Sequence, residues 1–179
     1  GVADRADALM PDRPRALLRQ AVAAGVNAPL SSSAGRLFDA FAFALGVAPD
    51  RMSYEGEAGM ALEAAAAGVQ IAEGWPFAVT DGVIDPAPMW RAWAASSASP
   101  PEAAAMFHQG LAAAFARIAR AEVETGRAQA VALSGGVMQN AVLQAALLRH
   151  LEGLPVLLHH GVPAGDGGLA LGQALVASV

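Results

Sequence analysis

Val131-Ala132-Leu133-Ser134-Gly135-Gly136-Val137-Met138-Gln139-Asn140 is an apolar run that ends in a hydroxyl and two glycines. The run starts at Ala128 and is broken only by Gln129, which predicts a strand buried in a parallel sheet; Ser134-Gly135-Gly136 then turns the chain into a helix reaching about Leu151. A second strand, Pro155 to His159, leads through the loop Gly161 to Gly165 into a final helix over Gly167 to Ala177. Strand, glycine turn and helix, twice over, predict an α/β arrangement with crossover helices on a sheet and both turns opening at the carboxyl ends of the strands, where ligands bind. The stretch Ala128 to Leu148 carries no charge and has the length of a membrane span. Ser134, Gly135, Gly136, Gln139 and Asn140 in its interior would leave polar groups in hydrocarbon, so the reading is strand, turn and helix, with no membrane partner.

Upstream, Leu17, Leu18, Val22 and Ala23 recur at helical spacing between Pro14 and Ala24, and Gly25 follows as a stop. Ser31-Ser32-Ser33 caps a second helix whose apolar stripe, Leu37, Phe38, Phe41, Ala44 and Leu45, ends at Gly46. The alanine-rich run Glu57 to Glu73 predicts a third helix, entered at Gly56 and left at Gly74. Asp81-Gly82 between Phe77-Ala78-Val79 and Val83-Ile84 predicts a two-residue hairpin, because these residues accept the positive φ angles of a type I′ turn. After a segment around Trp90 and Trp93, a long helix is expected over Glu102 to Glu124, with Leu111, Phe115, Ile118 and Ala119 on its inner face. Residues 1–76 thus read as a helical segment and 77–179 as an α/β lobe, together one compact unit.

The 179 residues are 55% hydrophobic and 15% charged, within the range of folded soluble domains. There is no cysteine, which excludes disulfides, thiolate metal sites and a cysteine nucleophile and fits a reducing compartment. All eleven basic residues are arginine and the net charge is −5, which argues against a nucleic-acid partner and excludes lysine Schiff-base chemistry. The start, Gly1-Val2-Ala3-Asp4-Arg5, has no apolar leader, and Gly1 in place of Met suggests a piece of a longer protein.

Three constellations carry candidate chemistry. At Gly135-Gly136 a strand ends at a helix start, where free backbone N–H groups and the helix dipole attract an anion, and Asn140, one turn on, faces the same mouth. A lone Gly-Gly pair more often does no more than pack a strand on a helix. Asp166, between Gly165 and Gly167, sits at an N-cap position; a carboxylate beside a phosphate-binding turn also suits a divalent metal. Asp39 follows Phe38 next to an apolar stripe, where a buried carboxylate needs partners, and Glu55 and Glu57 are ordinary first-turn dipole partners. Among the histidines, His159 and His160 are adjacent at a strand end and point to opposite faces, so they do not chelate one ion, while His108 and His150 stand alone on helices as hydrogen-bonded structural groups.

Singly weak, these motifs are specific in their order and wording. Ser-Ser-Ser-Ala-Gly-Arg-Leu-Phe-Asp-Ala (31–40), Ser-Tyr-Glu-Gly-Glu-Ala (53–58), Phe-His-Gln-Gly-Leu-Ala (107–112), Leu-Ser-Gly-Gly-Val-Met-Gln-Asn (133–140) and Val-Pro-Ala-Gly-Asp-Gly-Gly-Leu-Ala-Leu-Gly-Gln (162–173) resemble the C-terminal part of the HypF carbamoyltransferases of nickel–iron hydrogenase maturation. The resemblance implies one lobe of an actin-like ATPase (ribonuclease H-like) fold, a mixed sheet with helices packed on it plus an N-terminal helical segment. It implies an enzyme that uses carbamoyl phosphate and ATP to form carbamoyl adenylate and passes the carbamoyl group to the C-terminal cysteine of HypE, in the cytoplasm, as the precursor of cyanide ligands. By the same resemblance Asp39 contacts the nucleotide ribose, Gly56 and more weakly Glu55 lie at the nucleotide, Gly135, Gly136 and Asn140 lie near its phosphates, and Asp166 is a ligand of a divalent metal ion (Mg, Zn or Fe). Such proteins carry an acylphosphatase-like domain, zinc fingers, a carbamoyl-adenylate-forming domain and a first lobe with a metal-binding histidine pair, none of which is in this chain. A fragment, mostly the second lobe and inactive alone, is therefore expected, with the rest of the HypF chain as its partner. Two alternatives are a non-catalytic interaction module that docks HypE or dimerises through an exposed lobe face, and a lobe of a tRNA threonylcarbamoyladenosine transferase, against which the acidic surface weighs.

Overall fold

A 25-residue helix, α6 (Pro100–Glu124), forms the axis of the molecule. The computed structural model describes residues 1–10 and 12–178. Around α6 lie α1 (Val2–Ala8), α2 (Arg15–Ala23), α3 (Ala34–Ala44), α4 (Glu57–Ala66), β1 (Ala78–Thr80), β2 (Val83–Asp85) and α5 (Ala87–Ala95), followed by β3 (Val131–Ala132), α7 (Ala141–His150), β4 (Val156–Leu157) and α8 (Leu169–Ala177). Helix α6 is more deeply enclosed than its expected inner face: Ala103, Ala104, Ala105, Phe107, His108, Gly110, Leu111, Ala112, Ala114 and Ala116 are all buried, whereas Phe115, Ile118 and Ala119 are only partly so. Alanines make this possible, because they let α3, α4, α5 and α7 approach the axis from different sides.

The core joins both halves of the sequence. Phe41 of α3 stacks on Phe107 of α6 with centroids 4.6 Å apart and meets Trp75, Trp90 and Trp93 edge-on. Leu62 and Ala66 of α4, Met89 and Trp93 of α5, and Leu143, Ala146 and Leu147 of α7 complete it. Helix α1, which the sequence reading left unassigned, is held to α5 by Arg5. Its guanidinium lies 4.2 Å from the Trp93 ring centroid and donates to the Trp93 carbonyl at 2.6 Å.

Where the chain crosses α6, two glycines touch. A Cβ on Gly110 would lie 2.1 Å from the Trp75 carbonyl oxygen, and one on Gly74 would lie 1.9 Å from the Gly110 nitrogen. The expected role of Gly74 as the end of the third helix is thereby corrected. Helix α4 ends at Ala66, the chain reverses at Gly68 with φ +77°, and residues 69–76 run as an irregular segment across α6. An alanine-rich run carries no periodic signal for its own end, so Gly68 inside it was read through.

Both predicted ribbons are present as separate two-stranded pairs. β1 and β2 pair antiparallel about Asp81 (φ 51°) and Gly82 (φ 77°), both in the left-handed region a type I′ turn requires. β3 and β4 pair parallel, Val131 opposite Val156 and Ala132 opposite Leu157, with α7 as the crossover. They are shorter than the predicted strands, and one face of this ribbon, with Ala132 and Leu157, is exposed. Helices α2 and α8 bury no residue among those described; Val22 is 67% and Val176 80% exposed. None of the described helices is long and apolar enough to cross a membrane.

Candidate functional site

At the carboxyl ends of β3 and β4 the two glycine turns lie against each other. The Gly135 N–H donates to the Ala164 carbonyl at 2.8 Å, and a Cβ on Gly165 would fall 3.2 Å from the Gly136 Cα. Gly135 has φ +97° and ψ 160°, a conformation essentially restricted to glycine, and with Gly136 it is exposed with open space before it. Residues Gly136–Gln139 form a turn of 3-10 helix, and the first N–H groups of any such turn have no partner within it. Free donors beside the open space at Gly135 and Gly136, the mouth of the turn, make an anion-attracting arrangement.

Helix α3 closes one side of this mouth. Its N-cap Ser33 accepts from the Arg36 N–H, and the Cβ position of Gly35 lies 3.9 Å from Val137 in the 3-10 turn. Asp39 follows one helical turn later on the same face. Its side chain is 16% exposed, and Arg36 Nη2 lies 2.8 Å from Oδ2, yet no donor is aimed at that oxygen. The charge is thus compensated while a buried acceptor stays open, which is costly in a chain that has no use for it.

Asn140 departs from its expected place. The 3-10 turn breaks before it, so it is the N-cap of α7 and not a residue within a continuous helix, and its side chain is buried and turned inward. Its Oδ1 accepts from the Leu143 N–H at 2.8 Å and its Nδ2 contacts His108 Nε2 at 3.0 Å, so the amide supports the turn from beneath and does not face the mouth. Beside it the Ala141 N–H donates to Glu63 of α4 at 2.7 Å. His108, read from the sequence as a hydrogen-bonded structural group, is one. Its Nδ1 lies 2.7 Å from the Ala104 carbonyl, which only accepts, so Nδ1 carries the proton and Nε2 accepts from Asn140. A histidine one helical turn past a run of alanines was the available signal; its partner 32 residues away was not.

Burial pushes the His108 imidazole below the ordinary histidine range, with the Ala104 bond and Glu63 acting the other way. His150 shifts in the same direction through burial and through Arg149 and Arg120. Below about pH 6.5 the unfolded chain therefore binds protons that the folded one resists, so stability falls as pH drops through that value. We expect a lower urea midpoint at pH 5.5 than at pH 7.5; an equal or higher one would contradict the buried neutral imidazole.

Glu55 is exposed and makes no hydrogen bond among the described residues, and Gly56, with φ +84°, is the N-cap of α4. Glu57 accepts from the Ser53 N–H, as a first-turn carboxylate does. Asp166 opens a short 3-10 turn and is exposed. No group of three histidine, cysteine, aspartate or glutamate side chains among the described residues is placed to hold a metal ion. One exposed carboxylate does not make the oxygen-rich set that a divalent ion needs, so this chain by itself does not fit the metal the resemblance implies.

Residues 2–173 match the family model described as carbamoyltransferase, Kae1-like domain, second subdomain. The chain belongs to the HypF carbamoyltransferase family. The carbamoyltransferase HypF of Rhodobacter capsulatus is 51% identical over 99% of this chain and 24% of its own length. A carbamoyltransferase HypF homolog of Cupriavidus necator is 40% identical over 86% of this chain and 42% of its own. Among solved structures, HypF of T. kodakarensis superposes with a TM-score of 0.83 at 30% identity, and a full-length HypF in its phosphate- and nucleotide-bound form with 0.84 at 27%, each over 99% of this chain and 24% of that one. The chain thus spans about a quarter of the length of the Rhodobacter capsulatus HypF and of the two solved HypF chains, and 42% of the Cupriavidus necator homolog, and corresponds to the second subdomain of a Kae1-like domain.

Proposed function

We propose that this chain is the nucleotide-facing second lobe of a longer HypF carbamoyltransferase. In this reading the backbone N–H groups at the start of the Gly136–Gln139 turn receive nucleotide phosphates beside Gly135, whose own N–H is held by Ala164, and the Asp39 carboxylate accepts a ribose hydroxyl. Gly56 and Glu55 border the nucleotide, and Asp166 stands near the phosphate end. The observation that supports the reading is the apposition of the Gly35–Asp39 face of α3 with the glycine turn, where the Cβ position of Gly35 lies 3.9 Å from Val137. The lobe's contribution is positioning and charge stabilisation by donors already oriented in the fold. Asn140 and His108 serve it from behind as supports.

The complete polypeptide then uses carbamoyl phosphate and ATP to make carbamoyl adenylate and carbamoylates the C-terminal cysteine of HypE in the cytoplasm. The isolated lobe is inactive because it supplies only one wall of the cleft. The exposed apolar faces of α2 and α8 fit a lobe that the remaining HypF chain covers.

The test is ATP titration, with Mg²⁺, into the full-length protein carrying this chain. Asp39→Asn should weaken ATP at least tenfold, as expected on losing a charge-assisted hydrogen bond of about 1.5 kcal/mol or more. An affinity within twofold of the unmodified protein would remove Asp39 from the site.

A further inference from the structure

At the far end of α7 from the glycine turn the molecule has a second concavity. A recess of 370 Å³ opens where residues 72–77 cross α6, and it is lined by His150, which ends α7 about 15 Å along the helix from Asn140. Gly74, Gly110, Ala113 and Ala114 contribute nothing larger than a methyl group to its lining, so the space stays open, while Pro76, Phe77 and Val79 give it an apolar wall. Glu73, Gln109, Arg117 and His150 are its polar side chains, brought together from the crossing segment, α6 and α7. A few convergent polar groups in an apolar concavity are the usual composition of a ligand site.

These groups offer mainly donors and positive charge. Gln109 Oε1 accepts from Arg149 Nη2 at 3.2 Å, which turns its Nε2 toward His150 Nε2, also at 3.2 Å. The imidazole therefore accepts at Nε2 and carries its proton on Nδ1, which meets no acceptor among the described residues. Burial and the charges of Arg149 and Arg120 push this histidine below its ordinary range, and no carboxylate acts the other way. Arg117 makes a single long hydrogen bond, 3.4 Å to the Val79 carbonyl, and neither it nor Arg120 nor Arg149 forms an ion pair among the described residues. A lone surface arginine is ordinarily solvated and needs no ligand. Here three of them, on two packed helices, hold a positive field around one recess in a chain whose net charge is −5.

We propose that this recess is a binding site for a small organic monoanion, a carboxylate with an apolar body, separate from the nucleotide mouth. Arg117 holds the carboxylate, the His150 Nδ1–H donates to it, and the apolar body lies against Pro76, Phe77 and Ala113. A guanidinium and one further donor suit the two oxygens of a carboxylate. Glu73 limits the charge the site accepts. With one acid in the lining beside Arg117, and Arg120 and Arg149 behind, the field suffices for a monoanion and opposes the second charge of a phosphate monoester. The site stands apart from the nucleotide reading, because no residue of the glycine turn or of α3 lines it.

The experiment titrates para-fluorobenzoate into the full-length protein carrying this chain and follows the fluorine NMR line width. It compares the unmodified protein with Arg117→Gln, Ala113→Leu and Arg91→Gln, the last an exposed arginine outside the recess. The unmodified protein should bind the probe saturably. Arg117→Gln should weaken it about tenfold by removing a charge-assisted hydrogen bond, Ala113→Leu should abolish binding by filling the recess, and Arg91→Gln should change nothing. Inorganic phosphate should not displace the probe. The proposal fails if the unmodified protein shows no saturable binding, if Arg117→Gln binds like the unmodified protein, or if phosphate displaces the probe as readily as unlabelled benzoate does. Arg117 and Arg91 are both exposed, so their comparison decides the matter even where Ala113→Leu does not fold.

Discussion

Gly110→Ala is expected to destabilise the protein by about 3 kcal/mol, although helix propensity alone predicts a gain of about 1 kcal/mol for the same change in the middle of a helix. The sign is decided by what the new methyl group meets. It would fall 2.1 Å from the Trp75 carbonyl oxygen, which is backbone and cannot rotate away as a flexible side chain would. Either the segment carrying Trp75 lifts off α6, or α6 shifts within a core in which Phe41, Trp75 and Phe107 are already in contact. Gly74→Ala should behave alike, since its methyl would strike the Gly110 nitrogen at 1.9 Å. Urea unfolding followed by tryptophan fluorescence measures both. A loss below 1 kcal/mol in either would mean that the crossing yields more easily than its geometry suggests.

His108→Ala has the second largest expected effect, also about 3 kcal/mol, from a different source. The imidazole is fully buried and makes edge contacts with Phe38 and Phe107 at centroid distances of 5.2 and 5.8 Å, so its removal leaves a cavity. It also leaves Asn140 Nδ2 without its buried acceptor. Because Asn140 caps α7 directly behind the glycine turn, loosened packing should reach the mouth and weaken the nucleotide binding proposed above along with stability. A double-mutant cycle with Asn140→Ala isolates the bond: coupling of about 1 kcal/mol or more is expected between residues in such direct contact. Additive losses would show that His108 contributes packing alone. The variant should also lose part of the acid sensitivity, because the proton that the buried imidazole resists would no longer differ between folded and unfolded chains.

What could be read without coordinates was whatever the chain encodes locally. Asp81-Gly82 specifies its own turn because two adjacent residues tolerate positive φ, and Ser33 caps α3 through a bond to a residue three positions on. Gly135 announces its unusual backbone in the same way. The end of α4 was misplaced because Gly68 hides in an alanine run, and residues 69–76 are fixed by a partner, Gly110, that lies far along the sequence. At the site, the fit of Gly165 against Gly136 followed from two parallel strands ending at one level. The inward turn of Asn140 did not, since only His108 and Leu143 in three dimensions decide which way its amide faces. The register that pairs Ser134 with His159 is set across a whole crossover helix, and no local pattern announces it.

The crossing at Gly110 also singles out one amide. Trp75 lies in no helix or strand, yet its N–H donates to the Met106 carbonyl at 3.0 Å beneath a nearly buried indole. Its neighbours in the irregular segment should exchange their amide protons with solvent through local opening, whereas this proton is released only when the segment separates from α6. A loop residue thus becomes a clock for the opening of the whole lobe, ticking in step with the slowest amides of α6 itself.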